Sequence, residues 1–147
     1  MRIAVGGDER NDVTDHVLEA LRKRGHEIVR VVGPVGGRDE QWADVGREVA
    51  EAVSSGEAEQ GVVFCWTGTG VSMAANKVRG ARAALCTDAG QARGARRWND
   101  ANVLALSLRL TSRPLADEIL DAWFSTTDLD PAEIPNIEKS KRSDAGS

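Results

Sequence analysis

Cysteine is scarce: the 147 residues hold two, Cys65 and Cys86, far apart in the chain. That excludes a C-x-x-C pair and a disulfide framework, and a reducing compartment keeps both as thiols. Histidine is equally scarce. His16 and His26 have no ligand-spaced partners, so no metal site is expected. Long hydrophobic runs are missing too, because the longest uncharged stretch, Gln60 to Asn76, is broken by Thr67, Gly68, Thr69, Gly70 and Ser72. It falls short of the ~20 apolar residues that span a bilayer. There is no excess of positive charge, since 19 Lys and Arg face 23 Asp and Glu for a net charge of −4. Neither nucleic acid nor a membrane is an expected partner. The opening Arg2-Ile3-Ala4-Val5 has no basic n-region, apolar h-region or cleavage site, and the expected location is the cytoplasm.

What is present is a composition of 41% hydrophobic and 29% charged residues, in a single-domain length range. Short apolar runs alternate with amphipathic segments of helical length. Strands are expected at Ile3 to Val5, Ile28 to Val32, Gly61 to Cys65, Arg82 to Cys86 and Asn102 to Leu106. Between them, one helix from Asp12 to Gly25 carries Val13, Val17, Leu18 and Leu21 on one face, and the next places Trp42, Val45, Val49 and Val53 at three-to-four spacing. Further helices run from the Gly70 region through Lys77, from Asp88 to Trp98 and from Pro114 to Phe124. This is the signature of βαβ units around a parallel sheet of about five strands. Residues 1–127 read as one domain. Residues 128–147, with Pro131 and Pro135, read as a carboxy-terminal arm or flexible tail.

In an open parallel sheet the ligand crevice lies beyond the carboxyl ends of the strands. The residues there are Asp8-Glu9, Cys65-Trp66-Thr67-Gly68-Thr69-Gly70, Thr87-Asp88 and Ser107-Leu108-Arg109. Glycines at 68 and 70 free the backbone to aim several N–H groups at one point, beside the positive end of the next helix. A cysteine at such a place can become a thiolate base or nucleophile. It can equally be a small buried hydrophobe that ends a strand, with the glycines making only a tight turn. Asp8 reads as a substrate contact or a turn residue, Asp88 as a helix cap, Arg93, Arg96 and Arg97 as a solvated face, and Cys86 as core. No Walker lysine follows Gly68-Thr69-Gly70 and no G-x-G-x-x-G follows the first strand, so a general nucleotide-binding module is the weakest reading.

Four segments recur at familiar intervals: Ala50-Glu51-Ala52-Val53, Cys65-x-Thr67-Gly68-x-Gly70, Ala74-Ala75-Asn76-Lys77-Val78 and Asn99-Asp100-Ala101-Asn102-Val103-Leu104. With them the chain resembles the type B ribose-5-phosphate isomerase and galactose-6-phosphate isomerase family from Ile3 to about Trp123. The resemblance implies a Rossmann-like α/β/α sandwich, a homodimer or dimer of dimers with active sites shared between chains, and aldose–ketose isomerisation of a sugar phosphate through a cis-enediolate without metal or organic cofactor. It also implies roles. Cys65 matches the proton-transfer base and Thr67 the assisting hydroxyl, while Gly68 and Gly70, with Trp66 and Thr69 between and beside them, match the enediolate loop. Asp8 matches the acidic residue of the first loop, Asn99 a polar contact and Arg109 a phosphate-binding arginine.

The departures from the family pattern are specific. Glu9 stands where a histidine follows the aspartate, Trp98 stands at the ring-opening histidine, and Glu133-Ile134-Pro135-Asn136-Ile137 occupies the arm that usually carries arginines. Gln41-Trp42-Ala43 replaces an Asp-Tyr-Pro, and Trp66 replaces a small residue. The expected enzyme therefore acts on a short, already linear sugar phosphate rather than ribose 5-phosphate, with Trp66 and Trp98 bordering its pocket. The alternative is a catalytically silent sugar-phosphate-binding homologue acting as a regulatory or partner subunit.

Overall fold

The computed structural model describes residues 1–146. Among them, five strands, β1 (Arg2–Gly7), β2 (Glu27–Val32), β3 (Gln60–Cys65), β4 (Ala83–Leu85) and β5 (Val103–Ser107), form one parallel sheet in the order β2-β1-β3-β5-β4. Six helices accompany them: α1 (Asp12–Lys23), α2 (Trp42–Ser54), α3 (Thr69–Asn76), α4 (Ala89–Asn99), α5 (Arg113–Ser125) and α6 (Ile134–Arg142). The Rossmann-like α/β expectation is met.

Period-two alternation divides the core into two layers. On one face Ile3, Val5, Val62, Phe64, Leu104 and Leu106 pack on α1, α4 and α5; on the other, Ala4, Val63, Cys65, Val103 and Ala105 pack on α2 and α3. All six residues of β3 are buried, which suits the middle strand of a sheet covered on both sides. Helix starts follow local chemistry. Asn11 accepts from the Val13 and Thr14 amides at 2.9 and 3.0 Å to cap α1, and Asp88 accepts from the Gln91 amide at 2.7 Å to cap α4, as expected.

Two elements differ from the sequence-based expectation. β4 is only three residues long, because Arg82 and Cys86 flank the sheet rather than join it; as expected, the Cys86 side chain is fully buried in the core. The stretch read as an arm or flexible tail contains a short 3-10 turn (Pro131–Glu133) and then α6, which lies against α4. Ile137 is buried there, the Arg82 guanidinium donates to Ser140 at 2.8 Å, and Lys141 pairs with Asp100 at 3.0 Å. Pro135 falls in the first turn of α6, where a missing N–H costs nothing.

After β1 the chain turns to one side of the sheet and after β3 to the other. The crevice such a reversal opens lies at the carboxyl ends of β1 and β3.

Candidate active site

Cys65 ends β3 at that crevice. Its carbonyl accepts the Leu108 amide at 3.0 Å, and on the other side the Asp8 amide reaches the Phe64 carbonyl at 3.4 Å. The following loop is held at several points, since the Trp66 carbonyl accepts both the Ser107 hydroxyl and the Arg109 amide at 2.9 Å. Ser107 Oγ in turn accepts the Leu110 amide at 3.2 Å. The last residue of β5 thus fixes the loop that leaves β3.

The turn into α3 needs glycine at position 68. Its φ is +76°, and a Cβ there would lie 2.5 Å from Leu85 Cδ1 and 3.0 Å from backbone atoms of Leu106 and Ser107. No side chain caps α3, so the first N–H groups of the helix remain available to an anion. Thr67 and Thr69 share a hydroxyl–hydroxyl hydrogen bond of 2.7 Å across the turn.

These pieces border a cleft of about 360 Å³ lined by Asp8, Trp42, Cys65, Trp66, Thr67, Thr69, Gly70 and Met73. Cys65 is only 5% exposed yet forms part of the wall. The Asp8 carboxyl titrates above its usual range, first because burial disfavours the charged form and then because Glu9 lies close. Burial, with a smaller contribution from Asp88, pushes the Cys86 thiol up to about 12. Cys86 is an inert core group.

Of the residues singled out from the sequence, Asp8, Cys65, Trp66, Thr67, Thr69 and Gly70 line this cleft, and Gly68 shapes its turn. Glu9 is exposed beside Asp8. Arg109 is tied by its backbone to Trp66, and its exposed guanidinium makes no ion pair among the described residues. Trp98 and Asn99 do not join the group within one chain. They end α4, next to Arg82, whose guanidinium donates to the Asn99 carbonyl at 2.6 Å at the amino-terminal side of β4. Four residue steps along β5 separate that level from Ser107 and Cys65, which is ~13 Å.

Three residues outside the expected set also contribute to the site, Trp42, Met73 and Ser107. Spacing groups Trp42 with Val45, Val49 and Val53, yet it is 44% exposed and lines the cleft. The signal for Met73 was its position one helical turn after Thr69 and Gly70, which puts it on the same side. Ser107, expected just beyond the fifth strand at the crevice, is the last residue of β5.

The model of the ribose/galactose isomerase family matches residues 3–139. A D-erythrulose-4-phosphate isomerase of Pectobacterium atrosepticum is 33% identical over 140 residues, covering 95% of this chain and 92% of that protein. Ribose-5-phosphate isomerase B of Escherichia coli is 37% identical over 124 residues, covering 84% of this chain and 83% of that one. Among solved structures, a ribose-5-phosphate isomerase B of Clostridium thermocellum superposes with a TM-score of 0.90 at 38% identity, covering 99% of both chains. A fold shared end to end at such identity leaves one assignment: the chain belongs to the ribose/galactose isomerase family and is a sugar-phosphate isomerase.

Proposed function

We propose that the chain interconverts a short aldose phosphate and its ketose, with Cys65 as the proton-transfer base. One observation carries this reading: a thiol almost sealed from water at the end of the middle strand, beside an uncapped helix start. As thiolate, Cys65 removes the proton from the carbon next to the carbonyl. The electron pair left behind makes a cis-enediolate, whose negative oxygen the N–H groups of the Thr67 to Gly70 turn receive. The Cys65 thiol then returns the proton to the neighbouring carbon. The role assigned to the Thr67 hydroxyl, which is bonded to Thr69, is to pass the second proton between the two oxygens. Donors aimed where charge develops are worth about 3 kcal/mol each.

The substrate we assign is a four-carbon ketose phosphate and its aldose. Opening a sugar ring requires an acid–base group, and both histidines of the chain are engaged elsewhere. His16 Nε2 lies 2.9 Å from Asp117, and His26 Nδ1 lies 3.1 Å from the terminal amine and stacks at 4.3 Å on Phe124. The indole of Trp98 donates a hydrogen bond but transfers no proton. A tetrose 4-phosphate needs no such help, because its phosphate occupies the oxygen that would close a furanose. The Pectobacterium relative, a D-erythrulose-4-phosphate isomerase, supports the same assignment. Arg109 is the cation chosen for the phosphate. A homodimer or dimer of dimers in the cytoplasm completes the proposal.

The test compares kcat/KM for D-erythrulose 4-phosphate, ribose 5-phosphate and galactose 6-phosphate, with solvent deuterium incorporation at C1 and C2 as the signature of the enediolate. Preference for the tetrulose phosphate is expected. A clear preference for ribose 5-phosphate overturns the substrate assignment, and absence of exchange with all three overturns the catalytic one in favour of a silent binding homologue.

A further inference from the structure

We propose that Trp42 sets the length of substrate that the cleft accepts; the proposal rests on reading the cleft as the isomerase site. The indole opens α2 and is nearly half exposed, so filling the core is not its task. It is nevertheless held in place. A Cβ built on Gly70 would lie 2.9 Å from both Cδ2 and Cε3 of the indole and 3.4 Å from Cγ, so the ring face covers the Gly70 backbone. Gly70 does not have the positive φ of Gly68, so its backbone conformation makes no demand for glycine. What excludes a side chain at position 70 is the indole lying on it.

The same ring also borders a second space. Trp42 and Met73 also line a largely apolar groove of about 530 Å³ between α2 and α3, which continues past Ala74 and Val78. The cleft at Cys65 and this groove share those two side chains as walls. Met73 is unbranched and 63% exposed, and it can swing aside. A flat indole seated on a glycine cannot yield in the same way. Trp42 is therefore the rigid end wall, and the cleft stays short because the ring stands between it and the groove. A sugar phosphate longer by one or two carbons needs the space that the indole occupies. Removing the ring joins the two spaces and lengthens the site without touching Cys65 or the N–H groups of the turn.

The full-length protein carrying Trp42→Ala, Trp42→Leu or Trp42→Phe is compared with the unaltered one, using tetrulose 4-phosphate, ribose 5-phosphate and a hexose 6-phosphate. Trp42→Ala should raise the ratio of kcat/KM for the five-carbon over the four-carbon substrate by about tenfold or more, mainly through a lower KM for the longer one. Trp42→Phe, with a smaller ring, should fall between. A general structural lesion would instead lower kcat for every substrate and leave the ratio alone. If Trp42→Ala does not fold, Trp42→Leu decides, since it keeps apolar bulk at the start of α2 and removes the plane. Ratios within about twofold of the unaltered protein in every folded variant overturn the proposal. An unaltered protein that turns over none of the three substrates overturns the isomerase reading itself, a distinguishable result.

Discussion

At the scale of single residues, the two thiols show how place decides chemistry. Cys65 and Cys86 both sit just past a strand's apolar run and both are buried. Only Cys65 borders the cleft. Cys65→Ala should reduce isomerisation by about 10³-fold while leaving the thermal unfolding midpoint close to that of the unaltered protein, a magnitude typical of a lost general base. Cys65→Ser should be nearly as poor, because a serine hydroxyl stays protonated near neutral pH. Near-normal turnover of a folded Ala variant would remove Cys65 from the mechanism. Asp8 makes a different point. Its folded-state pKa is raised by burial and by Glu9, so between the unfolded value of 3.8 and the folded value the native state binds more protons than the unfolded chain. Stability credited to Asp8 is therefore greatest at acid pH and declines as pH rises through the folded value. Ionised Asp8 weakens the fold at neutral pH, as groups kept for function commonly do. Asp8→Asn should raise the unfolding midpoint at pH 7, leave it nearly unchanged at pH 3, and lower kcat/KM. A variant that is less stable at pH 7 would show that the carboxylate is structural.

At the scale of elements, periodicity and end signals made most of the fold readable. The run Val62-Val63-Phe64-Cys65 suits a strand covered on both faces, and Asp88 and Gly25 mark helix ends where the structure has them. Periodicity fails where it is tied to one turn of helix or to partners far away in sequence. Trp42 fits the stripe of Val45, Val49 and Val53, but as the first residue of α2 it projects past the core and onto Gly70. α6 was unreadable for another reason. Two prolines and a strongly polar composition hide one buried anchor, Ile137, and the rest of its attachment is to Arg82 and Asp100, invisible without the fold. That attachment gives a prediction. Ile137→Ala should cost about 2 kcal/mol of local stability, the low end for such a truncation, since the helix packs at the periphery. Amide exchange across 134–142 should then accelerate by about thirtyfold while exchange in β3 is unchanged. Uniform acceleration through the sheet would mean that α6 belongs to the global folding unit.

At the scale of the whole molecule, the unsolved geometric problem is the distance between Cys65 and the last turn of α4. Trp98, 52% exposed, rests against Gly94, where a Cβ would meet its ring at 2.8 Å; Asn99 follows it, and α6 buttresses the same helix. An exposed indole held rigidly on a helix is suited to an interface, and no single chain can bring it to the cleft. A two-fold pair can, if the carboxyl edge of one sheet meets the α4 terminus of the other. Each site then takes Cys65 from one chain and Asn99 from its partner. The decisive experiment mixes two inactive variants. If the chains pair in this way, Cys65→Ala and Asn99→Ala proteins, unfolded together and refolded in equal amounts, form mixed pairs in which one of the two sites has both native residues. Recovery of about a quarter of the native activity is expected from random pairing. If each site were built within one chain, every chain in the mixture would still lack one of its own groups. Activity would then stay at the level of the separate variants however the chains were combined, and that result would confine the catalytic machinery to the cleft beside Cys65.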